Sequence, residues 1–378
     1  MSRIRLLAFA ATFIAVAAAL DRSIGAQSPA WTSVGPIPRF FHSTVLDPNT
    51  GKLIVFGGND LPATGIPPLP WGSLNDVWRS NANFRWTLVK TKGTPPSPRS
   101  GQSTAYDPVS NRMIVFGGSL SYTFSSYNDT WVLTNANGQG GAEKWIQLTP
   151  TGPLPRPRFV HGSAYDQANN RFIVFGGDDC SSNNFCVVLN DVWVLSNANG
   201  LGGTPTWTEL FPTGGGPGPR ETMNNVAFDP GNNRLIVFGG TNGAGTNYNE
   251  VWVLSDANGL GGTPAWTLLS PSGTPPAPRS FSSSVYDPAS NRLTMFGGRD
   301  ASNVLFNDVW VLSDANGTGG TSAWLQVTGL TSFPEARTAH TAIYDATTNE
   351  MIVLGGSIIS DFSLATNNVW ILGHANGL

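Results

Sequence analysis

A block repeated six times along the chain constrains the fold more than any other feature of this sequence. Each block contains a Gly-Gly doublet directly after an apolar run, and successive doublets are 60, 59, 63, 58 and 58 residues apart. A period of this length indicates a propeller or another array of supersecondary units. The six doublets are Gly57-Gly58, Gly117-Gly118, Gly176-Gly177, Gly239-Gly240, Gly297-Gly298 and Gly355-Gly356.

Each block reads as four short strands separated by turn residues. In the second block the strands are SGQSTAYD, NRMIVFGG, NDTWVL and KWIQL. The second of these is apolar without alternation, which suits a strand covered on both faces by neighbouring sheets. Because one sheet cannot bury both of its own faces, the six sheets must stack around an axis. The sequence therefore predicts an all-β, six-bladed β-propeller with four antiparallel strands in each blade.

Tryptophans recur where they would wedge between neighbouring blades. A buried aromatic side chain removes about 150 to 250 Å² from water, so we expect these residues to dominate the packing of blade on blade. The third strands carry Trp78, Trp131, Trp193, Trp252, Trp310 and Trp370. The fourth strands carry Trp86, Trp145, Trp207, Trp266 and Trp324.

The turn between the first and second strands also repeats. Four residues after its Asp stands a Gly or an Asn, the residue types that tolerate a positive φ most readily. We therefore expect a left-handed backbone at this position in every blade. The six residues are Gly51, Asn111, Asn170, Asn233, Asn291 and Asn349.

The sixth block supplies only three strands before the chain ends. A matching fourth strand stands at the other end, where residues 31–34 (WTSV) align with residues 207–210 (WTEL). We expect residues 31–34 to complete blade 6. The ring is then closed by an N-terminal strand, which removes the exposed sheet edges.

Residues 1–26 have the pattern of a secretory signal peptide. Two arginines precede an apolar run over residues 6–20, and small residues follow before polar Gln27. The run is shorter than the roughly 20 residues of a membrane-spanning helix. The sequence therefore predicts a secreted protein, extracellular or periplasmic, in which residues 27–378 form the propeller.

The charge of the chain limits its partners. Its formal net charge is −3, and only 12% of its residues are charged. This mild acidic balance argues against a nucleic acid or an anionic membrane surface as a partner. We expect no membrane insertion, and we expect a monomer.

The repeat resembles the Kelch repeat, which is shared with the central domain of galactose oxidase. The resemblance rests on the Gly-Gly doublet, the third-strand aromatic residue, the fourth-strand Trp and an Arg, usually after Pro, that opens the first strand. It covers residues 31–378 and implies a six-bladed Kelch-type propeller. Such propellers serve as protein-binding scaffolds, sugar-active enzymes and cell-surface modules, so the fold alone does not imply one function.

The sequence departs from the copper site of galactose oxidase, which uses Tyr and His ligands with a Tyr–Cys crosslink. Four tyrosines occupy the repeated position before the turn Asp, which is typical of packing residues. The other three lie in loops without an adjacent His. The packing tyrosines are Tyr106, Tyr165, Tyr286 and Tyr344.

An Arg opens the first strand of every blade. The resemblance places these arginines around one mouth of the central channel, on the face that carries the loops between second and third strands, here called the loop face. Six guanidinium groups could hold a carboxylate or sulfated ligand through bidentate hydrogen bonds. The alternative is that each Arg binds backbone carbonyls of its own blade. The arginines are Arg39, Arg99, Arg158, Arg220, Arg279 and Arg337.

Three residues beyond the Arg the repeat is broken. Blades 1, 3 and 6 carry His42, His161 and His340, whereas blade 4 has one inserted residue and offers Met223 or Asn224. Three His in these blades are too far apart around the ring to predict a metal site. The predicted ligand-binding set is these three His together with the six arginines.

The two cysteines of the chain lie in the loop between the second and third strands of blade 3. In an exported chain with no other cysteine, they predict a disulfide between Cys180 and Cys186. The repeated NANGLGG segments lack the bidentate Glu of a calcium loop and are predicted to be Gly-rich hairpins. The sequence predicts no cofactor and no metal.

The loops of the loop face differ from blade to blade, whereas the turns of the opposite face, here called the turn face, are nearly uniform. The divergent loops include residues 59–74, 178–189 and 357–366. Residues that maintain the fold recur in every blade, whereas a binding surface is formed by residues that differ between blades. We therefore expect the ligand to bind on the loop face around the central channel. The predicted function is a secreted binding module for a protein or a glycan ligand.

The runner-up function is a sugar-active enzyme similar to the exported Kelch-type sialic acid epimerases. Asp60, Asp178 and Asp300 follow Gly doublets at the loop face, and carboxyl groups opposite an Arg ring are what such an enzyme needs. The other interpretation is that these carboxylates are solvated and cap turns. The sequence identifies no catalytic residue, favours binding and leaves enzymatic activity open. The distances between these acids and the Arg ring discriminate between the two functions.

Overall fold

The chain is built from β-strands. Among the residues that the structure describes there is no helix, and hence no helix with the length and apolar character needed to cross a membrane. The predicted signal peptide, residues 1–26, and the predicted closing strand, residues 31–34, lie outside the described residues. The computed structural model describes residues 35–60, 72–120, 125–182 and 185–377.

The first three blades are four-stranded antiparallel sheets whose strands lie side by side in chain order. Blade 1 consists of Ser43–Asp47, Lys52–Phe56, Val77–Ser80 and Trp86–Leu88. Blade 2 consists of Ser103–Asp107, Arg112–Phe116, Thr130–Thr134 and Lys144–Leu148. Blade 3 consists of Gly162–Asp166, Arg171–Ser182, Phe185–Ser196 and Thr206–Leu210.

Blades 4 and 5 repeat this arrangement, and blade 6 has three strands among the described residues. Blade 4 consists of Val226–Asp229, Arg234–Thr241, Asn247–Ser255 and Ala265–Leu268. Blade 5 consists of Ser283–Asp287, Arg292–Phe296, Val309–Ser313 and Ala323–Val327. Blade 6 consists of Thr341–Asp345, Glu350–Leu354 and Val369–Gly373.

Short strand pairs extend some blades at the loop face. Arg39–Phe40, Asn59–Asp60 and Gly72–Ser73 form a small sheet beside blade 1. Ser119–Leu120 pairs with Ser125–Ser126 beside blade 2. In blade 3 the second and third strands simply continue past the Gly doublet as a long hairpin.

The six blades form a ring. The first strand of each blade contacts the first strand of the next, and that of blade 6 contacts that of blade 1. Between blades, the fourth-strand Trp packs on the second-strand Phe of the preceding blade, as the tryptophan pattern predicts. The ring centroids are 5.2 Å apart for Phe56 and Trp145, 4.8 Å for Phe116 and Trp207, 5.4 Å for Phe175 and Trp266, and 5.3 Å for Phe238 and Trp324.

The predicted left-handed turn residue is confirmed in all six blades. Gly51 has a φ of 64°, and the five asparagines have φ values between 51° and 54°. Asn suits this position twice over, because its side-chain oxygen also accepts a hydrogen bond from the packing Tyr of the same blade. Tyr106 and Asn111 make this bond at 3.0 Å.

Five of the six blade junctions share a polar link on the turn face. An Asn of the hairpin between third and fourth strands donates to the turn Asp of the preceding blade. At the junction of blades 6 and 1 the described residues contain no such bond to Asp345. The five bonds join Asn137 to Asp47 (2.8 Å), Asn199 to Asp107 (2.7 Å), Asn258 to Asp166 (2.7 Å), Asn316 to Asp229 (2.6 Å) and Asn376 to Asp287 (2.8 Å).

The connection into blade 1 follows the same path as the other connections between blades. In blades 1 to 5 an Asn just before the third strand donates to a Pro carbonyl that lies three residues before the Arg of the next blade. In blade 6, Asn367 Nδ2 donates to the Pro36 carbonyl at 2.8 Å. Closure by residues 31–34 stays a prediction, and the path of Pro36 agrees with it. The other bonds join Asn75 to Pro96, Asn128 to Pro155, Asn190 to Pro217, Asn249 to Pro276 and Asn307 to Pro334.

Candidate functional site

The six arginines that open the first strands are at most 2% exposed. Each uses Nη1 to donate to the carbonyl of the first Gly in the doublet of its own blade, at 2.8 to 3.1 Å. Both residues of each doublet have a left-handed backbone and no side chain, and the carbonyl of the first Gly is free to accept the guanidinium. The acceptors are Gly57, Gly117, Gly176, Gly239, Gly297 and Gly355.

In four blades the same Arg also forms a bidentate ion pair with an Asp just before the third-strand Trp. Asp129 accepts Arg99 through both carboxylate oxygens, at 2.6 and 2.9 Å, and its Oδ2 accepts the indole N–H of Trp131 at 2.7 Å. One carboxylate therefore ties the first strand to the third. Equivalent Asp residues are Asp76, Asp191 and Asp308, and Glu250 takes this place in blade 4.

Blade 6 departs from this arrangement because Asn368 replaces the Asp. Arg337 still donates to the Asn368 side chain at 2.8 Å, but its ion pair is with Glu335, which is 59% exposed. The indole nitrogen of Trp370 has no hydrogen-bond partner among the described residues. Burial lowers the pKa of Arg337 to about 10 despite the Glu335 carboxylate beside it.

The three predicted histidines are at most 1% exposed and lie at three different blade junctions. Each packs against the Gly doublet of the preceding blade; a Cβ at Gly117, for example, would lie 2.9 Å from Cε1 of His161. Burial, helped by the Arg39 guanidinium, lowers the pKa of His42 to about 3, and burial also lowers the pKa values of His161 and His340. All three are therefore neutral at pH 7.

The structure thus buries all nine residues of the predicted ligand-binding set. The arginine contacts match the interpretation that each Arg binds the backbone of its own blade. Ligand contact by any of the nine stays a prediction, and their burial gives it no support. Other residues form the surface of the channel mouth on the loop face.

A circle of backbone hydrogen bonds, here called the belt, surrounds this mouth. Its members follow the six arginines, share a positive φ of 41° to 63° and bond from blade to blade. They are Phe41, Gly101, Val160, Met223, Phe281 and Ala339. The bonds run from the amide of Phe41 to Ala339 (3.0 Å), Gly101 to Phe41 (2.8 Å), Val160 to Gly101 (2.7 Å), Met223 to Val160 (2.9 Å) and Ala339 to Phe281 (2.9 Å).

The belt is open between blades 4 and 5. Among the described residues, this is the one junction where belt residues are not bonded to each other, here Met223 and Phe281. Blade 4 has one residue more than the other blades between its Arg and its belt residue. This insertion displaces the pairing, so that the amide of Ser284 donates to the Asn224 carbonyl at 3.0 Å instead.

Around the belt, the residue after each Arg pairs with the residue after the Gly doublet of the same blade. Of these twelve positions only three carry an ionisable side chain, and they lie in consecutive blades: Asp178, Glu221 and Arg299, here called the charged sector. The pairs are Phe40 with Asn59, Ser100 with Ser119, Phe159 with Asp178, Glu221 with Thr241, Ser280 with Arg299 and Thr338 with Ser357.

The pKa values of both carboxyl groups in the charged sector are raised. Burial, followed by the charge of Asp178, raises the pKa of Glu221 to about 8, although the Arg299 charge opposes this shift. Burial, followed by the charge of Asp179, raises the pKa of Asp178 to about 6. At neutral pH the Glu221 carboxyl is therefore mostly protonated, and that of Asp178 is mostly ionised.

A cavity of about 180 Å³ opens beside Glu221 at the junction where the belt is broken. Thr241, Asn247 and Phe281 line it, together with Arg299. Binding sites for drug-sized ligands usually measure about 300 to 1,000 Å³. The cavity is therefore suited to a single side chain or a comparably small group.

The profile of the KLHDC2/KLHL20/DRC7 Kelch-repeats domain matches residues 25–139, 109–260 and 232–376 of this chain. The chain belongs to the Kelch-repeat family. The predicted resemblance and the six-bladed all-β fold are confirmed by this match and by the sheets described above.

Kelch relatives with curated descriptions are much longer than this chain. It is 31% identical over 230 residues, 58% of its length, to the flagellar outer-arm dynein alpha chain of Chlamydomonas reinhardtii, and spans 5% of that protein. It is 28% identical to the host cell factor homolog hcf-1 of Caenorhabditis elegans and to human host cell factor 2, over 71% and 70% of its length. It spans 32% and 31% of those two proteins.

A solved structure, that of YjhT, has the same architecture. The two chains are 13% identical and superpose with a TM-score of 0.58, over 90% of this chain and 99% of YjhT. At this identity the likeness shows the Kelch propeller fold alone.

Within the described residues, the loop-face acids of the Kelch propeller are not the ion-pair partners of the arginine ring. Among the described residues, no ion pair joins Asp60, Asp178 or Asp300 to any of the six arginines. Asp300 instead caps its own turn, accepting the amides of Ser302 and Val304 at 2.9 and 2.8 Å. The described part of this face therefore gives no support to the sugar-active alternative.

The opposite mouth of the Kelch propeller is wider but more uniform. A cavity of about 1010 Å³ on the turn face is ringed by the residues that precede the turn Asp, among them Tyr165, Phe228, Tyr286 and Tyr344. The three tyrosine hydroxyls donate to the turn Asn of their own blades at 3.0 to 3.2 Å. The polar atoms here serve the repeat itself.

The predicted disulfide is confirmed: Cys180 and Cys186 are bonded within the long hairpin of blade 3. The sequence analysis singled out Asp178, but it missed Glu221. A signal for Glu221 was present, since the residue after the repeated Arg is Phe, Ser or Thr in the other five blades.

Proposed function

We propose that this Kelch propeller is a secreted binding module whose ligand is a protein that docks on the loop face, around the channel mouth. The observation that carries the proposal is the charged sector. A residue that serves the architecture recurs in all six blades, as the arginines do, whereas Asp178, Glu221 and Arg299 break the repeat in consecutive blades beside an opening of the belt. Such departures from the repeat supply recognition.

The comparisons support a modular role. The chain matches only part of each curated relative, with 5% to 32% of their lengths covered. The size of the loop-face cavity also favours a protein ligand that contributes one side chain to it over a whole small molecule. The sugar-active alternative lacks support because the loop acids are not paired with the arginine ring.

A capture experiment tests the proposal. Residues 27–378, with the disulfide formed, are immobilised and exposed to the extracellular proteins of the producing cells, and bound proteins are crosslinked and mapped. We expect crosslinks at the loop face, and we expect capture to weaken when Asp178 and Glu221 are replaced by Asn and Gln. Val109→Lys, at an 83% exposed position of the turn face, is the matched control and should leave capture unchanged.

Three outcomes contradict the proposal. If Val109→Lys abolishes capture while the loop-face variant still captures, the ligand binds the turn face and not the loop face. Binding of a free glycan on an array, without a protein partner, replaces the protein ligand by a carbohydrate. Turnover of N-acetylneuraminic acid anomers, followed by proton NMR, would restore the enzymatic alternative.

A further inference from the structure

We propose that Asp178, Cys180 and Cys186 form a zinc site that exists only when the Cys180–Cys186 disulfide is reduced. The three residues lie in the long hairpin of blade 3, at the loop face. Such a site goes beyond the docking of a protein ligand and does not depend on it. Its basis is the position of the three ligand atoms, an unpaired carboxylate oxygen, and backbone contacts that hold the site without the disulfide.

The three side chains converge on one point. Asp178 and Cys180 are two residues apart on one strand, so their side chains project from the same face, and Cys186 reaches them from the paired strand. One ligand atom from each residue lies within 4.8 Å of the other two, and Asp178 Oδ2 is 3.5 Å from Cys180 Sγ. Oxygen and sulfur ligands of a tetrahedral zinc ion are about 3.6 to 3.8 Å apart, as follows from Zn–O and Zn–S bonds of about 2.1 and 2.3 Å. Once the S–S bond is broken, rotation of the side chains is enough to surround the ion.

The carboxylate of Asp178 is buried and short of hydrogen-bond donors. Asp178 is only 7% exposed, and its Oδ1 accepts no hydrogen bond from a described residue. Its Oδ2 faces the sulfur of Cys180, which carries no hydrogen to donate while the disulfide is formed. A buried acceptor without a donor is costly, and a cation bound to the carboxylate would remove that cost.

The chemistry of these donors suits zinc. Thiolate ligands select zinc or copper(I) over magnesium and calcium, and a carboxylate oxygen joins cysteine or histidine in many zinc sites. The sulfurs of a disulfide carry no negative charge, so the oxidised chain offers only the carboxylate of Asp178. Reduction supplies two thiolates, and three protein ligands leave the fourth position of a tetrahedral ion to water or to a group from a bound molecule.

Contacts other than the disulfide hold two of the three ligands. The amide of Asp178 donates to the carbonyl of Phe159 at 2.9 Å, and the amide of Phe159 donates to the carbonyl of Asp178 at 3.0 Å. The amide of Cys180 donates to Ser126 Oγ at 3.1 Å. Asp178 and Cys180 should therefore keep their positions when the disulfide is reduced, so that the exposed Cys186 is the ligand that moves.

A dithiol reductant opens the site. One thiolate of the reductant attacks the sulfur of the exposed Cys186, and Cys180 leaves as a thiolate. The second thiol of the reductant then displaces Cys186 and closes the disulfide of the reductant itself. Two electrons and two protons thus pass from the dithiol to the cysteines, and zinc displaces both protons when it binds the thiolates.

Metal titrations test the zinc site. The mature chain is reduced with a phosphine, which becomes a phosphine oxide, and is titrated with Co²⁺ and then with Zn²⁺. We expect thiolate-to-cobalt charge-transfer absorption in the reduced chain, lost when Zn²⁺ displaces the cobalt, and a zinc affinity at least about a hundredfold higher than that of the oxidised chain. Zinc should also raise the melting temperature of the reduced chain, because it binds the folded state.

Two substitutions separate ligation from the effect of nearby charge. Asp178→Asn should weaken zinc binding by the reduced chain about tenfold or more, since losing even a hydrogen-bond partner of a metal ligand costs about 10- to 100-fold. Asp179→Asn is the matched control: it removes the neighbouring carboxylate, which is paired with Arg156 at 2.8 Å, and should leave the zinc affinity within about threefold. Tryptophan fluorescence and thermal unfolding check that each reduced protein keeps its fold.

Several results would overturn the zinc site. They are a reduced chain without charge-transfer absorption, equal zinc affinities of the reduced and oxidised chains, wild-type affinity in Asp178→Asn, and loss of the fold on reduction. Equal weakening by Asp178→Asn and Asp179→Asn would assign the effect to charge and not to ligation, and would overturn it as well.

Discussion

A single aspartate before the third-strand Trp holds an Arg and a Trp at the same time in four of the six blades. The asparagine of blade 6 shows what each contact needs. Asn368 has one oxygen acceptor instead of two charged ones, so Arg337 takes a solvent-exposed glutamate as its ion-pair partner and the Trp370 indole is left without an acceptor. Exposed ion pairs stabilise a fold by only about 0 to 1 kcal/mol.

Restoring the carboxylate should therefore stabilise the protein. We expect Asn368→Asp to raise the free energy of unfolding by about 1 to 3 kcal/mol, because it supplies a charged acceptor to Arg337 and a partner to Trp370. Urea denaturation measures the change. The matched control is Asp308→Asn in blade 5, which should lower stability. An Asn368→Asp protein no more stable than wild type would show that blade 6 has found an equivalent arrangement.

The Glu221 carboxyl group of the charged sector gives a pH-dependent prediction. The folded pKa of Glu221, about 8, lies above its unfolded value, so between about pH 4.5 and pH 8 the folded state keeps a proton that the unfolded state has lost. Wild-type stability contributed by this group therefore falls as pH rises through that window.

Glu221→Gln removes this dependence. The stability of the variant relative to wild type should increase by at least about 1 kcal/mol between about pH 5 and pH 8.5, since each pKa unit corresponds to about 1.4 kcal/mol. Thermal or urea unfolding at both pH values measures the difference. A constant difference across the window would mean that Glu221 ionises as freely in the folded protein as in the unfolded chain.

At the scale of elements, the blades are joined by repeated links on the turn face, and the junction of blades 6 and 1 lacks them. In the part of the chain that the structure describes, Asp345 accepts no hydrogen bond from an Asn of blade 1. Glu350 stands where other blades have an Arg or Lys that donates to the hairpin of the next blade. Fewer links imply a lower free energy of local opening.

Hydrogen exchange should therefore be faster at this junction. We expect amides in the turn of residues 345–350 to exchange faster than those in the equivalent turn of residues 287–292, whose Asp287 accepts the Asn376 side chain. Peptide-resolved exchange by mass spectrometry makes the comparison within one molecule. Equal protection of the two turns would show that packing alone secures the junctions.

The strands, the left-handed turns and the packing tryptophans could be predicted from the sequence because each follows from a local rule repeated six times. The partner of each arginine could not, since Arg99 and Asp129 are 30 residues apart and meet only once the sheet has formed. The opening of the belt depends on one inserted residue in blade 4, whose effect appears only when the ring is assembled. Glu221, by contrast, could have been predicted, because it breaks the pattern of Phe, Ser or Thr after the repeated Arg.

At the scale of the whole molecule, the predicted closing strand can be tested by truncation. Deleting residues 27–34 should lower the free energy of unfolding by about 3 kcal/mol or more, because the strand carries Trp31, and loss of a buried Trp side chain alone costs about 3 to 5 kcal/mol. Deleting residues 27–30 is the control and should have little effect. Equal melting temperatures for the two truncations would mean that blade 6 is stable with three strands.

The open position of the belt also sets the mechanics of the ring. Belt residues bond to each other at five junctions, whereas blades 4 and 5 are joined through the displaced Ser284–Asn224 bond, so we expect the loop-face end of this junction to deform more easily than the loop-face ends of the other five. A ligand group bound between blades 4 and 5 should stiffen the whole ring, although it contacts only two blades. Ligand binding at the channel mouth should therefore reduce backbone motion on the opposite side of the ring.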